Sequence, residues 1–304
     1  MKKLEQNITN LYGSTFAKKW LAGLPELIAQ IKATHELSDL TPVKNLSYNY
    51  VISGFKGNQP VILKLGSDIE GFKREAVALR AFAGFGVVKM LAEGDGMLLL
   101  ERAVSGVSLK PYFPKKDNDS IRICAECLKR LQKAPIPHVH TFPHIKDWLA
   151  VLDTDWTIPT HYLQKARQLR DGLLQTSAKD VMLHGDLHHD NILQQDDGEA
   201  RRSLGEGGWV VIDPKGVIGE PAYEVAAFIR NPIPKLLEHD TARDIIHNRV
   251  TRFSEILALP AQRILDWCFV QAVLSWAWAL EDKCDEAYFK QLTKFFGKYF
   301  MKKK

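Results

Sequence analysis

Apolar residues recur at helical steps through the first forty residues, at Trp20, Leu21, Leu24, Leu27, Ile28 and Ile31, with Pro25 near one helix start. The period then changes. From about 46 to 66, in LSYNYVISGFKGNQPVILKLG, β-forming residues alternate, and GFKGNQ supplies the turn between two antiparallel strands. DIEGFKREAVALRAF returns to helical spacing, with Phe72, Ala76, Leu79 and Phe82 on one side. Two short strands follow, around VVKML and MLLLER, joined by the turn EGDG. Behind the leading helical region, the first third of the chain reads strand, strand, helix, strand, strand.

From about 118 onward the pattern is mainly helical, over 118–134, 144–152, 160–176 and from about 221 to the end. Two features interrupt it. One is VMLHGDLHHDNIL at 181–193, where the apolar flanks Val181–Leu183 and Ile192–Leu193 are predicted to pair as buried strands and the loop between them turns at Gly185. The other is the strand WVVID at 209–213. The stretch QQDDGEARRSLGEGG, 194–208, reads as an exposed loop or insertion. The chain therefore divides into a sheet-rich part, 1–102, and a larger helical part, 103–304, an α+β arrangement with polar loops at the seam and a ligand cleft expected there.

Composition adds little beyond exclusions. With 304 residues, 45% hydrophobic and 25% charged, the chain is an ordinary globular protein long enough for two lobes. The net charge of +5 comes partly from Lys2-Lys3 and Lys302-Lys303-Lys304, and no aromatic residues interleave with a basic run, so no nucleic-acid partner is expected. MKKLEQNITN has no apolar segment after its lysines, so no signal peptide is expected. Ile264–Leu280 carries Asp266 and Gln271 and reads as a buried helix, not a membrane span. Cys124 and Cys127 form a C-x-x-C, but Ile121, Cys124, Leu128 and Leu131 share one helical face, which explains them without metal or redox chemistry. Four cysteines in a chain this long make no disulfide scaffold, and a reducing, cytoplasmic setting is the expectation.

The chemistry concentrates in few residues. His184-Gly185-Asp186 precedes Asn191, and Asp213 ends the strand of WVVIDPKG. Asn191 and Asp213 are oxygen ligands suited to Mg²⁺, and Asp186 is a carboxylate able to accept a hydroxyl proton, the set that phosphoryl transfer asks for. Lys64 ends the strand VILK, and Glu75 on the next helix is its natural ion-pair partner; this Lys–Glu pairing follows the protein-kinase template, where it holds nucleotide phosphates. A zinc reading of His184, His188, His189 and Asp190 leaves Lys64 and the IDPKG strand without a purpose. His184 is better read as ordering the loop, Glu224 as bracing it, and Lys215 as a phosphate contact or a turn residue.

LHGDLHHDNIL together with VVIDPKGVIGEPAYEVAAFIRNP resembles the kinase-like aminoglycoside phosphotransferases, and the combination IDPKG…GEPAYE resembles their streptomycin 6-phosphotransferase and hydroxyurea phosphotransferase branch. The resemblance extends to NYV, VILKLG and LLLERAVSG. It implies a two-lobed protein-kinase-like fold with ATP and Mg²⁺ as cofactors. In it Asp186 would be the catalytic aspartate, Asn191 and Asp213 the metal ligands, and Lys64 the phosphate contact held by Glu75. Leu98–Arg102 would be the hinge, with the backbone of Leu99, Leu100, Glu101 and Arg102 meeting the adenine. Ser47 and Asn49 would stand where the phosphate-covering loop lies, although NLSYNYV lacks the glycine-rich pattern of protein kinases.

The resemblance also implies a small-molecule hydroxyl acceptor: streptomycin at its 6-hydroxyl, with hydroxyurea or an endogenous metabolite as alternatives. For a cationic acceptor, Trp278, Glu281 and Asp282 in VLSWAWALEDKCDEAYF are the expected contacts. A non-catalytic pseudokinase would be expected to have lost one of Lys64, Asp186, Asn191 or Asp213, and all four are present.

Overall fold

The computed structural model of the chain describes residues 1–44, 46–195 and 208–301. Most of the loop expected at 194–208, and the lysine cluster at 302–304, lie outside these residues.

Two helices, α1 (Lys2–Tyr12) and α2 (Ser14–His35), lead into a five-stranded sheet. Its strands are β1 (Leu37–Pro42), β2 (Tyr50–Lys56), β3 (Gln59–Leu65), β4 (Met90–Gly94) and β5 (Met97–Glu101), in spatial order β1-β2-β3-β5-β4, each neighbour antiparallel. Helix α3 (Ile69–Ala81) crosses between β3 and β4. The β2–β3 turn closes at Gly57-Asn58 between paired Lys56 and Gln59, with Gly57 at φ 57°, the backbone such a tight hairpin needs. At the β4–β5 turn, Gly96 has φ 66°, and an added Cβ would sit 2.4 Å from the Gly66 carbonyl oxygen. Two loops predicted from turn residues are thus tight turns.

The leading segment corrects the expectation in two places. The break between helices falls at Gly13 (φ 84°), and Pro25 lies inside α2 instead of near a helix start. Glu36 ends α2 in the left-handed conformation, and Leu37–Pro42 becomes a strand on β2 where only helix was expected. LSDLTP buries just Leu37, so its own alternation is weak; β2 supplies the pairing.

Beyond β5, a three-stranded sheet in the order β6-β8-β9 joins β6 (Ser105–Ser108), β8 (Ile192–Gln195) and β9 (Trp209–Val211). A two-stranded ladder joins β7 (Val181–Leu183) to β10 (Val217–Gly219). The two apolar flanks of the 181–193 motif therefore do not pair with each other: β7 takes β10, and β8 takes β9 and β6. The loop between them is pinned by two separate sheets.

Helices α4 (Asp117–Leu131), α5 (Ile145–Leu149), α6 (Thr160–Gln175), α7 (Pro221–Ile229), α8 (Lys235–Glu238), α9 (Ala242–Leu257), α10 (Ala261–Glu281) and α11 (Ala287–Met301) complete the fold. Most of α10 is buried, with Trp267 fully enclosed, and among the described residues no helix is long and apolar enough to cross a membrane. Cys124 and Cys127 pack in the same core on α4, and burial pushes the Cys127 thiol up to about 11. Arg249 on α9 is fully buried, its guanidinium 2.6 and 2.9 Å from the Asp117 carboxylate oxygens and donating to the carbonyls of Phe228, Ile229 and Asn231. That satisfied network ties α4 and α9 to the end of α7.

Candidate active site

The strand alternation of β3 sends Lys64 away from Leu63 and Leu65, which are fully buried among the side chains of α2. Its Nζ meets Glu75 Oε2 at 2.6 Å and Asp213 Oδ1 at 2.6 Å. Helix α3 brings Glu75 there; Asp68 caps that helix by accepting the Gly71 N–H at 2.8 Å. Burial pulls the Lys64 ammonium down, but Asp213 and Glu75 outweigh it and the net direction is up. Burial would raise Asp213, yet Lys64 and Lys215, whose Nζ is 3.1 Å away, hold its carboxyl well below the usual range. Glu75 goes the other way, raised by burial, and its Oε1 is enclosed without a hydrogen-bond partner.

Asp213 follows β9 with φ 61°, a left-handed conformation that aspartate tolerates better than most residues. The chain then folds onto the β7–β8 loop, the Lys215 N–H donating to the His184 carbonyl at 2.8 Å. His184 is fully buried, and burial lowers its pKa to about 4, so it is neutral. Its Nε2–H donates to the Ile212 carbonyl at 2.8 Å and its Nδ1 accepts the Asp186 N–H at 3.2 Å. On the other side Glu224 of α7 accepts the Gly185 N–H at 3.1 Å and the Leu187 N–H at 3.4 Å. Both residues order the loop, as the sequence suggests.

Asp186 projects from this scaffold with its side chain about one-third exposed, Oδ2 3.5 Å from His188 Nε2 and Oδ1 3.6 Å from Arg230 Nη2. Burial would raise its pKa; His188 and Arg230 outweigh that and lower it. Asn191 Nδ2 donates to the Asp186 carbonyl at 2.9 Å, which commits the amide NH₂ and leaves Oδ1 as the atom for a cation. Asn191 and Asp213 flank paired β8 and β9, and the Ile212 N–H donates to the Asn191 carbonyl at 3.0 Å. Both present hard oxygen donors, the kind that Mg²⁺ takes.

Two cavities meet at these residues. The first, about 560 Å³, runs from Lys64, Asn191 and Asp213 to the strand end at Leu100, Glu101 and Arg102, with apolar walls including Val51, Ile62, Leu193 and Ile212. The second, about 730 Å³, is bounded by α1, the β1–β2 loop, α3, Trp148 and Asp213–Lys215. Ser47, Asn49, Lys64, Glu75 and Asp213 line both. Asp186 lines neither, but its neighbours do: Asn191, bonded to its carbonyl, lines the first, and the Trp148 ring, packed on Gly185, lines the second.

Leu99 departs from expectation. It is fully buried on the α2 side of the sheet and lines neither cavity; alternation puts Leu98 and Leu100 on the opposite face, toward α3. The hinge-side lining instead continues past Arg102 to Ala103 and Val104, and the Arg102 guanidinium lies over the Phe55 ring at 5.0 Å. Trp278, Glu281 and Asp282 also line neither cavity, because α10 is a core helix and only its end emerges. Trp278 instead backs the lining residue Trp148 with an edge contact at 6.1 Å. Glu281 and Asp282 are exposed, and Asp282 acts electrostatically on Tyr48, whose hydroxyl is raised by burial first and then by Cys284 and Asp282. Sequence reasoning missed Trp148, Tyr48 and Arg230. The signal for Arg230 was present: it is the charge that ends the apolar run AAFI.

The streptomycin 3''-kinase of Klebsiella pneumoniae is 27% identical over 246 residues, spanning 77% of this chain and 85% of that relative. The streptomycin 6-kinase of Streptomyces griseus is 24% identical over 287 residues, spanning 89% and 87%. Among solved structures, a thermostable mutant of aminoglycoside phosphotransferase APH(4)-Ia in ternary complex with ADP and hygromycin B matches with a TM-score of 0.64 at 15% identity, covering 88% of this chain and 96% of that one; the likeness is one of fold, the expected kinase-like α+β arrangement. Residues 30–283 match the model of the aminoglycoside/hydroxyurea antibiotic resistance kinases, and the chain, a phosphotransferase, belongs to that family.

Proposed function

We propose that the protein transfers the γ-phosphoryl group of ATP to a hydroxyl group of streptomycin, at its 6-position, or of a related aminoglycoside. The observation that carries this reading is Lys64 held between Glu75 and Asp213 where the two cavities meet. Residues 1–102 would form the lobe that holds the nucleotide phosphates, and 103–304 the lobe with Asp186 and the metal ligands. The adenine would enter the first cavity between its apolar walls, near the backbone of Leu100, Glu101 and Arg102. Lys64 would then meet the phosphates, with Ser47 and Asn49 above them. Asn191 Oδ1 and the Asp213 carboxylate would hold Mg²⁺, which when bound offsets the negative charge of the phosphate oxygens.

The acceptor would occupy the second cavity, where Trp148 and Tyr48 offer aromatic faces to a cationic sugar. Asp186 would orient the acceptor hydroxyl and take its proton as that oxygen bonds to the γ-phosphorus and the bridging oxygen leaves with ADP. Arg230 and His188, beside the Asp186 carboxylate, would hold it ionised for that role. Three of the cysteines are buried free thiols, which suits a reducing cytoplasm.

A second reading keeps the chemistry and changes the acceptor. The two relatives act, by name, on different positions of one drug, and identities of 24–27% leave room for hydroxyurea or an endogenous hydroxyl compound. The test is ADP release from Mg-ATP with and without streptomycin, with Asp186→Asn as the blank. Streptomycin-dependent turnover that vanishes in the variant supports the first reading. ATP binding without stimulation removes streptomycin and leaves the kinase.

A further inference from the structure

The loop joining β1 to β2 reads VKNLSYN and has no glycine, so it lacks the pliable, side-chain-free backbone of a glycine-rich phosphate loop. It brings Ser47 and Asn49 to the cavities, and a loop that presents side chains gains from something to hold it. The structure shows the holder. Leu46 of the loop is 6% exposed, in one apolar cluster with Leu4 and Ile8 of α1 and Ala17 of α2, and Val43 and Tyr50 pack against it. Beside that cluster Asn7 Nδ2 of α1 donates to the Ser47 carbonyl at 3.0 Å. The far end of the loop is seated too: an added Cβ at Gly66 would lie 2.5 Å from Asn49 Oδ1. Ser47 and Asn49, two of the five residues that line both cavities, thus come from a loop fastened at both ends. Helix α1 lies before residue 30, where the family match begins.

We propose that α1 is a positioning element for the nucleotide phosphates, holding the β1–β2 loop over them through Asn7 and the Leu4–Ile8–Leu46 contact. The physical reason is preorganisation: a loop already ordered loses less conformational freedom when ligand arrives, so affinity for the part it covers rises. This rests on reading the first cavity as the nucleotide site. Asn7 and Ile8 line no part of the first cavity and act on the nucleotide through Ser47 and Asn49; Ile8 also borders the second cavity.

The test uses the full chain with Asn7→Ala and Ile8→Ala, and calorimetric titration with Mg-ATP and, separately, with adenosine. Losing the one hydrogen bond should weaken Mg-ATP about fivefold in Asn7→Ala, and Ile8→Ala should weaken it at least as much. Adenosine, which has no phosphates for the loop to cover, should bind both variants within about twofold of the parent protein. Unchanged Mg-ATP affinity in both variants overturns the inference, as does an equal loss for adenosine, which would mark general loosening. A parent protein that binds no Mg-ATP overturns the kinase reading together with this one, an outcome distinct from the other two.

Discussion

Lys64 and Asp213, 149 positions apart in the chain, stand 2.6 Å apart and tie β3 to the segment that follows β9. Glu75 completes the arrangement from α3, so one ammonium is shared by two carboxylates. Removing either partner does not simply delete a contact, because it leaves a buried charge uncompensated. Lys64→Met should therefore weaken Mg-ATP binding at least about tenfold and lower the thermal midpoint as well, by exposing Glu75 and Asp213 to each other. Nucleotide titration and a melting curve on the same sample check both halves.

Asp186→Asn keeps the shape of the side chain and removes its basicity. Turnover should fall by about 10²–10⁴-fold while Mg-ATP affinity stays within about twofold. Single-turnover kinetics separates the two quantities. Full activity in the variant would remove Asp186 from the reaction.

Gly185 has φ 87°, and an added Cβ would stand 2.7 Å from Trp148 Cη2. Gly185→Ala should displace both the loop that carries Asp186 and the Trp148 ring, reducing kcat more than about tenfold. Trp148→Ala should act differently, raising KM for the acceptor and leaving KM for ATP unchanged. Steady-state kinetics with both substrates varied checks the contrast.

Glu224 provides a pH test. Burial raises its pKa to about 7, above the ordinary carboxylate value, so between those values the folded state binds more proton than the unfolded state. Its contribution to stability is fully present below the unfolded pKa and is lost as pH rises through about 7. The thermal midpoint of the parent protein minus that of Glu224→Gln should therefore decline from about pH 4.5 to above pH 7. A flat difference would mean that Glu224 is not raised.

Arg249 reports on the helical core. Arg249→Leu strands Asp117 and three backbone carbonyls and should cost roughly 3–5 kcal/mol in urea unfolding, whereas Arg249→Leu with Asp117→Leu should recover part of it.

Much of this was legible along the chain because it is local. The alternation around Lys64, the helical spacing of Glu75 and the polar loop of VMLHGDLHHDNIL are short-range patterns, and the structure brings Lys64, Glu75 and Asp213 together while Asn191 joins them at the first cavity. What failed was non-local. β1 is a strand because β2 offers it an edge, and β7 pairs with β10 across an intervening strand pair that no periodicity announces. That Leu99 packs toward α2 and lines neither cavity was not legible either, because four consecutive apolar residues, Met97–Leu100, hide the alternation of a strand buried on both sides. Trp278, Glu281 and Asp282 lie off both cavities for a related reason: Trp278 packs behind Trp148, a contact between residues 130 positions apart.

The two cavities share five lining residues, and this has a bearing on inhibition. A single molecule with an adenosine at one end and an aminocyclitol at the other, joined by a short anionic bridge, could fill both at once. Its second half would bind at the high effective concentration set by the linker, so its affinity would exceed that of either fragment. Ser47 and Asn49, which line both cavities, would lie along the bridge.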